Sequence, residues 1–126
     1  MDYTLLERIK IRLRQFDIQE QTDEETGKTT EVVVFNHKED NPFLNELIDK
    51  AKQDVIAYRN YPKGYSDEMI TEDVKKLENI IIEVVLYDYD AEGIEGTKQH
   101  GENGVNQTFV KRESILGQVI PFVKVL

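Results

Sequence analysis

Cysteine is missing altogether from this chain of 126 residues. Neither a disulfide framework nor a thiolate metal site can form without it, and a reducing cytosol is the natural compartment. No apolar run approaches the roughly 20 residues that a membrane-spanning helix needs. The opening Met1-Asp2-Tyr3-Thr4 has neither the basic nor the apolar region of an export signal, so we expect a chain that is neither exported by a standard signal nor inserted in a membrane. Histidine is scarce as well. His37 and His100 stand alone, far from any H-x-x-x-H spacing, and a transition-metal site would have to draw carboxylates from elsewhere. Ser66 and Ser114 lack the G-x-S-x-G setting of an activated nucleophile. Gly93-x-x-Gly96 and Gly101-x-x-Gly104 lack the following Lys-Ser or Lys-Thr of a phosphate loop. Asp88-Tyr89-Asp90-Ala91-Glu92-Gly93 opens like a calcium loop, but the twelfth position is Gln99 where a bidentate glutamate belongs. These acids read instead as the solvated end of a helix, where the macrodipole prefers cations, so a basic group from elsewhere is expected to answer them. We therefore expect no catalytic residue, no cofactor and no metal, and regard a metal-dependent enzyme as the weakest of the possible readings.

Positive charge is outnumbered, with 16 Lys and Arg against 25 Asp and Glu and a formal net charge of -9. Such a field repels phosphates and argues against sequence-specific nucleic acid binding. The charge is uneven along the chain. Arg8, Lys10, Arg12 and Arg14 cluster near the start, whereas Asp17, Glu20, Asp23, Glu24, Glu25, Glu31, Glu39 and Asp40 crowd the stretch that follows. This asymmetry fits a charge-matched contact between subunits, or simply a solvated helix face beside a solubilising loop.

What is present is mostly helical periodicity. Leu5, Leu6, Ile9, Leu13 and Phe16 recur every three or four residues, and Thr4 with Glu7 fits a capping box, so a helix is predicted from Thr4 to about Phe16. From Asp17 to Asn41 that period vanishes. Glu25-Thr26-Gly27-Lys28 supplies turn chemistry before Thr29-Thr30-Glu31-Val32-Val33-Val34-Phe35, predicting a mobile hairpin or extended arm whose apolar strand is buried on its own domain or on a neighbour. Asn41-Pro42 reads as a cap and first residue of a second helix ending near Asn60, stopped by Tyr61-Pro62-Lys63-Gly64. A third helix is predicted from Ser66 or Thr71 to about Asp90, apolar almost all round through Ile80, Ile81, Ile82, Val84, Val85 and Leu86. Such a helix is central to its domain or shared with a neighbour, and in so short a chain we expect more apolar surface than one copy can cover. Asn103-Gly104 signals a tight turn, Val105 to Val110 a strand, Ile115 to Val119 one helical turn before Pro121, and Phe122 to Leu126 a short strand or docked tail. The expected fold is mainly α, a bundle of about three helices with a hairpin-like insert and a short C-terminal β-hairpin or arm. It forms a single domain over 1–126, with the insert at 17–41 and a glycine-rich arm at 91–126.

The C-terminal third carries a further signal. Gly93-Ile94-Glu95-Gly96, His100-Gly101-Glu102-Asn103-Gly104-Val105 and Thr108-Phe109, all after a long apolar helix, resemble the glycine-rich signature of the head-tail connector (adaptor) proteins of tailed bacteriophages and prophages. The closing Ile115-Leu116-Gly117-Gln118-Val119-Ile120-Pro121 is similar to that family's ending. The resemblance implies a small helical structural protein, made in the host cytoplasm, that forms a ring of about a dozen subunits. That ring sits at the head-tail junction of the virion, on the portal protein, and receives a stopper or tail-completion protein; no membrane is involved. Family members often carry an Asn-Arg pair just before the first glycine, where this chain has Asp90, Ala91 and Glu92. The candidate interface residues are therefore Arg8, Arg12 and Arg14 on the basic helix, Val33 and Phe35 on the apolar strand, and Tyr58 and Tyr61 at the turn after the second helix. Gly93, Glu95, Gly96, His100, Glu102, Gly104 and Phe109 of the glycine-rich stretch complete them. A different class of function, a stand-alone helical binding module or prophage-encoded regulator, is compatible with the same residues and predicts a monomer or dimer in place of a ring.

Overall fold

A computed structural model describes residues 2–96 and 111–122. Helix α1 (Leu5–Arg12) starts at the predicted capping box: the Thr4 side chain accepts from the Glu7 amide, and the Glu7 carboxylate accepts from the Thr4 amide at 2.9 Å. The helix stops four residues short of the predicted Phe16. Arg14 takes a left-handed conformation (φ 59). The Arg14 amide then donates to the Ile11 carbonyl and the Gln15 amide to the Lys10 carbonyl. This is a Schellman closure with arginine where glycine is usual, so no glycine marks the end in the sequence.

The chain then forms an antiparallel ribbon, β1 (Phe16–Thr22) and β2 (Thr29–Phe35), as the hairpin reading of the insert requires. Its loop closes with the Asp23 amide on the Lys28 carbonyl and the Gly27 amide on the Asp23 carbonyl. Gly27 sits at φ +67, where a side chain would be strained. A short 3-10 turn (Lys38–Asp40) leads into α2 (Asn41–Arg59). Pro42 lies in the first turn of α2 as expected, but Asn41 is not its cap. The 3-10 turn leaves Asp40 at the cap position, and the Asn41 side chain instead accepts a 2.6 Å hydrogen bond from Lys10 Nζ. α2 ends at Asn60, a left-handed residue whose amide returns to the Ile56 carbonyl.

The predicted third helix is two. α3 (Asp67–Lys75) is capped by the Ser66 hydroxyl, which accepts from the Met69 amide, and α4 (Glu78–Gly96) follows after Lys76 and Leu77. The Leu77 amide turns back to Val74, and the Leu77 carbonyl accepts from both Ile80 and Ile81. Neither proline nor glycine marks this break, so spacing alone does not show it. α4 also continues through Ala91 to Gly96, beyond its predicted end at Asp90. Residues 111–116 form a last helix, α5, longer at its start than the predicted turn at Ile115. The predicted strand Val105 to Val110 and the tail after Phe122 lie outside the described residues. The described residues are thus mainly helical with one small two-stranded sheet.

α4 is the axis of the core. Ile81, Ile82, Val84 and Val85 are all buried. α2 lays Leu44, Leu47, Ala51 and Val55 into the same core, α1 adds Ile9, and Leu116 and Val119 close it from the C-terminal segment. For these four α4 residues this overturns the expectation that α4 has more apolar surface than one copy can hide, while Ile80 and Leu86 are half-buried. The missing cover comes from Leu116 and Val119, some 30 residues away in sequence, which the helical pattern of α4 cannot reveal.

Candidate functional site

Among the described residues, the ribbon is the part least enclosed by the rest. Strand register places Ile18 opposite Val33, Glu20 opposite Glu31 and Phe16 opposite Phe35. Directly paired residues share a face, so one face of the ribbon runs Phe16/Phe35, Ile18/Val33, Glu20/Glu31 outward from the body. Phe35 is half-buried, with its ring edge-on to Tyr3 at 6.0 Å. Beyond it Ile18 is 61% and Val33 37% exposed. The apolar strand is therefore not buried on its own domain. Ile18 was not singled out by sequence because it stands alone among polar residues; only the register with Val33 makes it half of an apolar pair.

The basic cluster of α1 divides. Arg8 is used within the chain, donating to Glu78 at 3.0 Å and Asn79 at 2.9 Å, which ties α1 to the start of α4. Lys10 is only 2% exposed and donates to the His37 carbonyl and the Asn41 side chain, joining α1 to α2. Arg12 and Arg14 alone remain exposed as candidate contacts. Close to them, a part-buried network links Gln15, Asp40 and Tyr89, with both Gln15 and Tyr89 donating to Asp40.

The two tyrosines divide in the same way. Tyr58 is exposed, whereas Tyr61 is locked into an anchor for the C-terminal segment. The Tyr61 hydroxyl donates to Asp73 at 2.7 Å, and Arg59 Nε donates to the same carboxylate at 2.9 Å. The hydrogen bond from Arg59, with that from Tyr61, holds the Asp73 carboxyl below the ordinary aspartate range. Burial, reinforced by Asp73, pushes the Tyr61 hydroxyl well up. Onto this base the tail docks. The Phe122 ring lies 5.6 Å from Tyr61, 5.2 Å from Tyr65 and 3.9 Å from the Arg59 guanidinium carbon, and its amide donates to the Arg59 carbonyl. Arg59 Nη1 also donates to the Ile120 carbonyl.

A second anchor was missed by sequence reasoning. Arg112 of α5 grips Asp88 of α4 with two nitrogens, at 2.8 and 3.2 Å, and reaches Asp54 of α2 at 2.5 Å. Asp88 is 6% exposed and lies about two turns before the end of α4 at Gly96, so it is not the solvated helix end expected; the macrodipole does not act there, and Arg112 answers a buried carboxylate. The hydrogen bonds to Asp88 and Asp54 hold the guanidinium well above its ordinary range. No spacing in the sequence pointed to the pair, since Asp88 stands inside α4 and Arg112 is 24 residues away. The two anchors fix α5 and residues 117–122 against the bundle.

Gly93, Glu95 and Gly96 lie on the α4 backbone, their side chains outside the described residues, and His100, Glu102, Gly104 and Phe109 lie outside those residues altogether. Among the described residues no three His, Asp or Glu side chains are grouped to hold a metal, and no helix is long and apolar enough to cross a membrane. The described surface thus offers an exposed apolar pair flanked by carboxylates, two free arginines and a firmly anchored C-terminal segment, a set suited to contacts with protein.

Comparison with known families gives a match over most of the chain. The family described as phage gp6-like head-tail connector protein matches residues 33–116, from the middle of β2 through α2, α3 and α4 to the end of α5. Comparison with curated proteins returns no match, and comparison with solved structures returns none either.

Proposed function

Because the chain belongs to the phage gp6-like head-tail connector family, we propose that it is one subunit of a ring that docks on the portal after DNA packaging and joins head to tail. The family is one of structural phage proteins, not of enzymes, and its role places the chain among the head and tail proteins of a virion. The observation that carries the reading is the extent of the match. It spans the helical body together with Asp54, Asp88 and Arg112, so it covers the elements that define this fold and not one local motif.

Three features support the finer reading. The ribbon places Ile18 and Val33 in solvent, apolar area that a neighbouring molecule can cover. The net charge of -9 disfavours adhesion to a passing DNA duplex. The buried α4 gives a subunit that is already folded when free, made in the host cytoplasm and recruited to the head-tail junction by its peripheral surfaces. The portal on one side and a stopper or tail-completion protein on the other are the partners of such a ring.

Negative-stain microscopy of the protein mixed with the portal protein of the same phage tests the proposal. Closed rings stacked on the portal are expected. A monomer or dimer that ignores the portal would refute the ring and return the chain to the class of stand-alone regulators.

A further inference from the structure

A groove of about 360 Å³ opens between the start of α1, the second half of α2 and α3. Its floor is apolar, made by Leu5, Ile56, Ile70 and Val74, and Lys52 and Lys75 stand on its walls. Glu78 also lines it, but that carboxylate is already paired with Arg8 at 3.0 Å. Among the described residues Lys75 pairs with the exposed Glu72, both side chains being well over half in solvent, so the pair is readily exchanged.

The ribbon presents the complement of this groove. The Ile18/Val33 pair matches an apolar floor, and the Glu20/Glu31 pair next to it matches two ammonium groups. Glu20 and Glu31 are directly opposite on one face, an arrangement that destabilises a strand pair left alone in water and is relieved by a cation placed between them. The whole ribbon and its loop hold six carboxylates and one lysine, so electrostatics steers it toward a basic surface and away from another ribbon. We propose that the β1–β2 ribbon of one copy seats in the α1–α2–α3 groove of a second copy, with Ile18 and Val33 on the floor and Glu20 and Glu31 at Lys52 and Lys75. The contact is heterologous, since ribbon and groove are different surfaces, and repetition of such a contact closes a ring when its rotation allows. This inference rests on the ring reading above and supplies its subunit contact; β1 lies wholly outside the stretch matched by the family.

Two charge-reversed forms of the full chain test it, one carrying Glu20→Lys with Glu31→Lys and the other Lys52→Glu with Lys75→Glu. All four positions are exposed, so the fold is retained, which circular dichroism checks. In sedimentation velocity, with and without portal protein, each form alone is expected to associate about tenfold to a hundredfold more weakly than the natural chain. An equimolar mixture is expected to recover association, because each reversed ribbon then meets a groove of opposite sign. A second readout uses the absence of cysteine: Val33→Cys in one chain and Ile70→Cys in another should form a disulfide only when the two are mixed. Rings that persist in both charge-reversed forms, a mixture no better than its components, or a Val33→Cys chain that cross-links only to itself would overturn the contact while leaving the ring intact. A natural chain that forms no ring, alone or on the portal, would overturn both.

Discussion

Arg112→Met tests how the C-terminal segment is held. The substitution keeps most of the side-chain length and removes the guanidinium from two carboxylates of unequal exposure. Asp54 has a side chain 34% exposed, so water replaces its lost partner and this arm contributes at most about 1 kcal/mol. Asp88 has a side chain only 8% exposed, and breaking a buried pair from one side costs about 3–5 kcal/mol. One way to relieve the stranded charge is to swing α5 aside and admit water. That route uncovers Leu116 and Val119, each of which contributes about 1.5–3 kcal/mol by its burial. Both routes therefore cost about 3 kcal/mol or more. For a chain of 126 residues this corresponds to a fall in Tm of about 10–15 °C, measured by calorimetry or circular dichroism. Adding Asp88→Leu to Arg112→Met should recover most of the loss, since no charge then remains to be stranded. A drop below about 1 kcal/mol, or a double variant no more stable than Arg112→Met, would show that the clamp does not hold the segment.

The other anchor, built from Arg59, Tyr61 and Asp73, governs the pH limits of stability. Asp73 is held below its ordinary value of 3.8, chiefly by Arg59, so the folded state resists protonation there. Its contribution is complete above about pH 4 and is lost as the pH falls through the folded value, so Asp73→Asn should flatten the acid limb of urea-unfolding curves taken between about pH 4 and 2. At the other end Tyr61 is pushed above its ordinary value of 10.0 by burial and by Asp73, so its contribution is complete below about pH 10 and declines as the pH rises further. Tyr61→Phe should lose about 1 kcal/mol at neutral pH and shallow the alkaline limb, leaving the part due to Tyr89, which burial and Asp40 also push up. Arg14→Gly should raise stability by about 1 kcal/mol in the same assay, because it removes a side chain from the left-handed residue of the α1 closure.

Local chemistry was readable from the sequence wherever one residue type does one job. Thr4 and Glu7 close a capping box, and Gly27 takes the positive φ of the ribbon loop. The misses share a different cause. Arg14 does the work of a glycine at the end of α1 and so hides that end, and the α3–α4 break at Lys76 and Leu77 uses residues that a continuous helix accepts equally well. Lys10 and Arg8 read as surface charge, yet one is buried on neutral acceptors and the other is bound to Glu78. Those partners lie between about 30 and 70 residues away, and no periodicity encodes a contact across that distance. The same holds for Arg112 with Asp88 and for Ile18 with Val33, which become a clamp and an apolar patch only after the chain has folded.

The enclosure of α4 changes what drives association. If an apolar axis had to be shared between copies, the free subunit would be unstable and assembly would follow directly from folding. Here Ile81, Val84 and Val85 are covered within one copy, so the proposed association has, among the described residues, only peripheral groups such as Ile18, Val33 and exposed charges to draw on. Contacts of that size are weak singly, are screened by salt and are offset by the loss of rotational and translational freedom on docking. They become strong when two act at once, because a subunit already held on one side meets the next neighbour at high effective concentration. Closure of a ring on a symmetric platform meets that condition and encounter in free solution does not. The free protein should therefore be folded and largely unassembled at low concentration, with the portal surface acting as the nucleus.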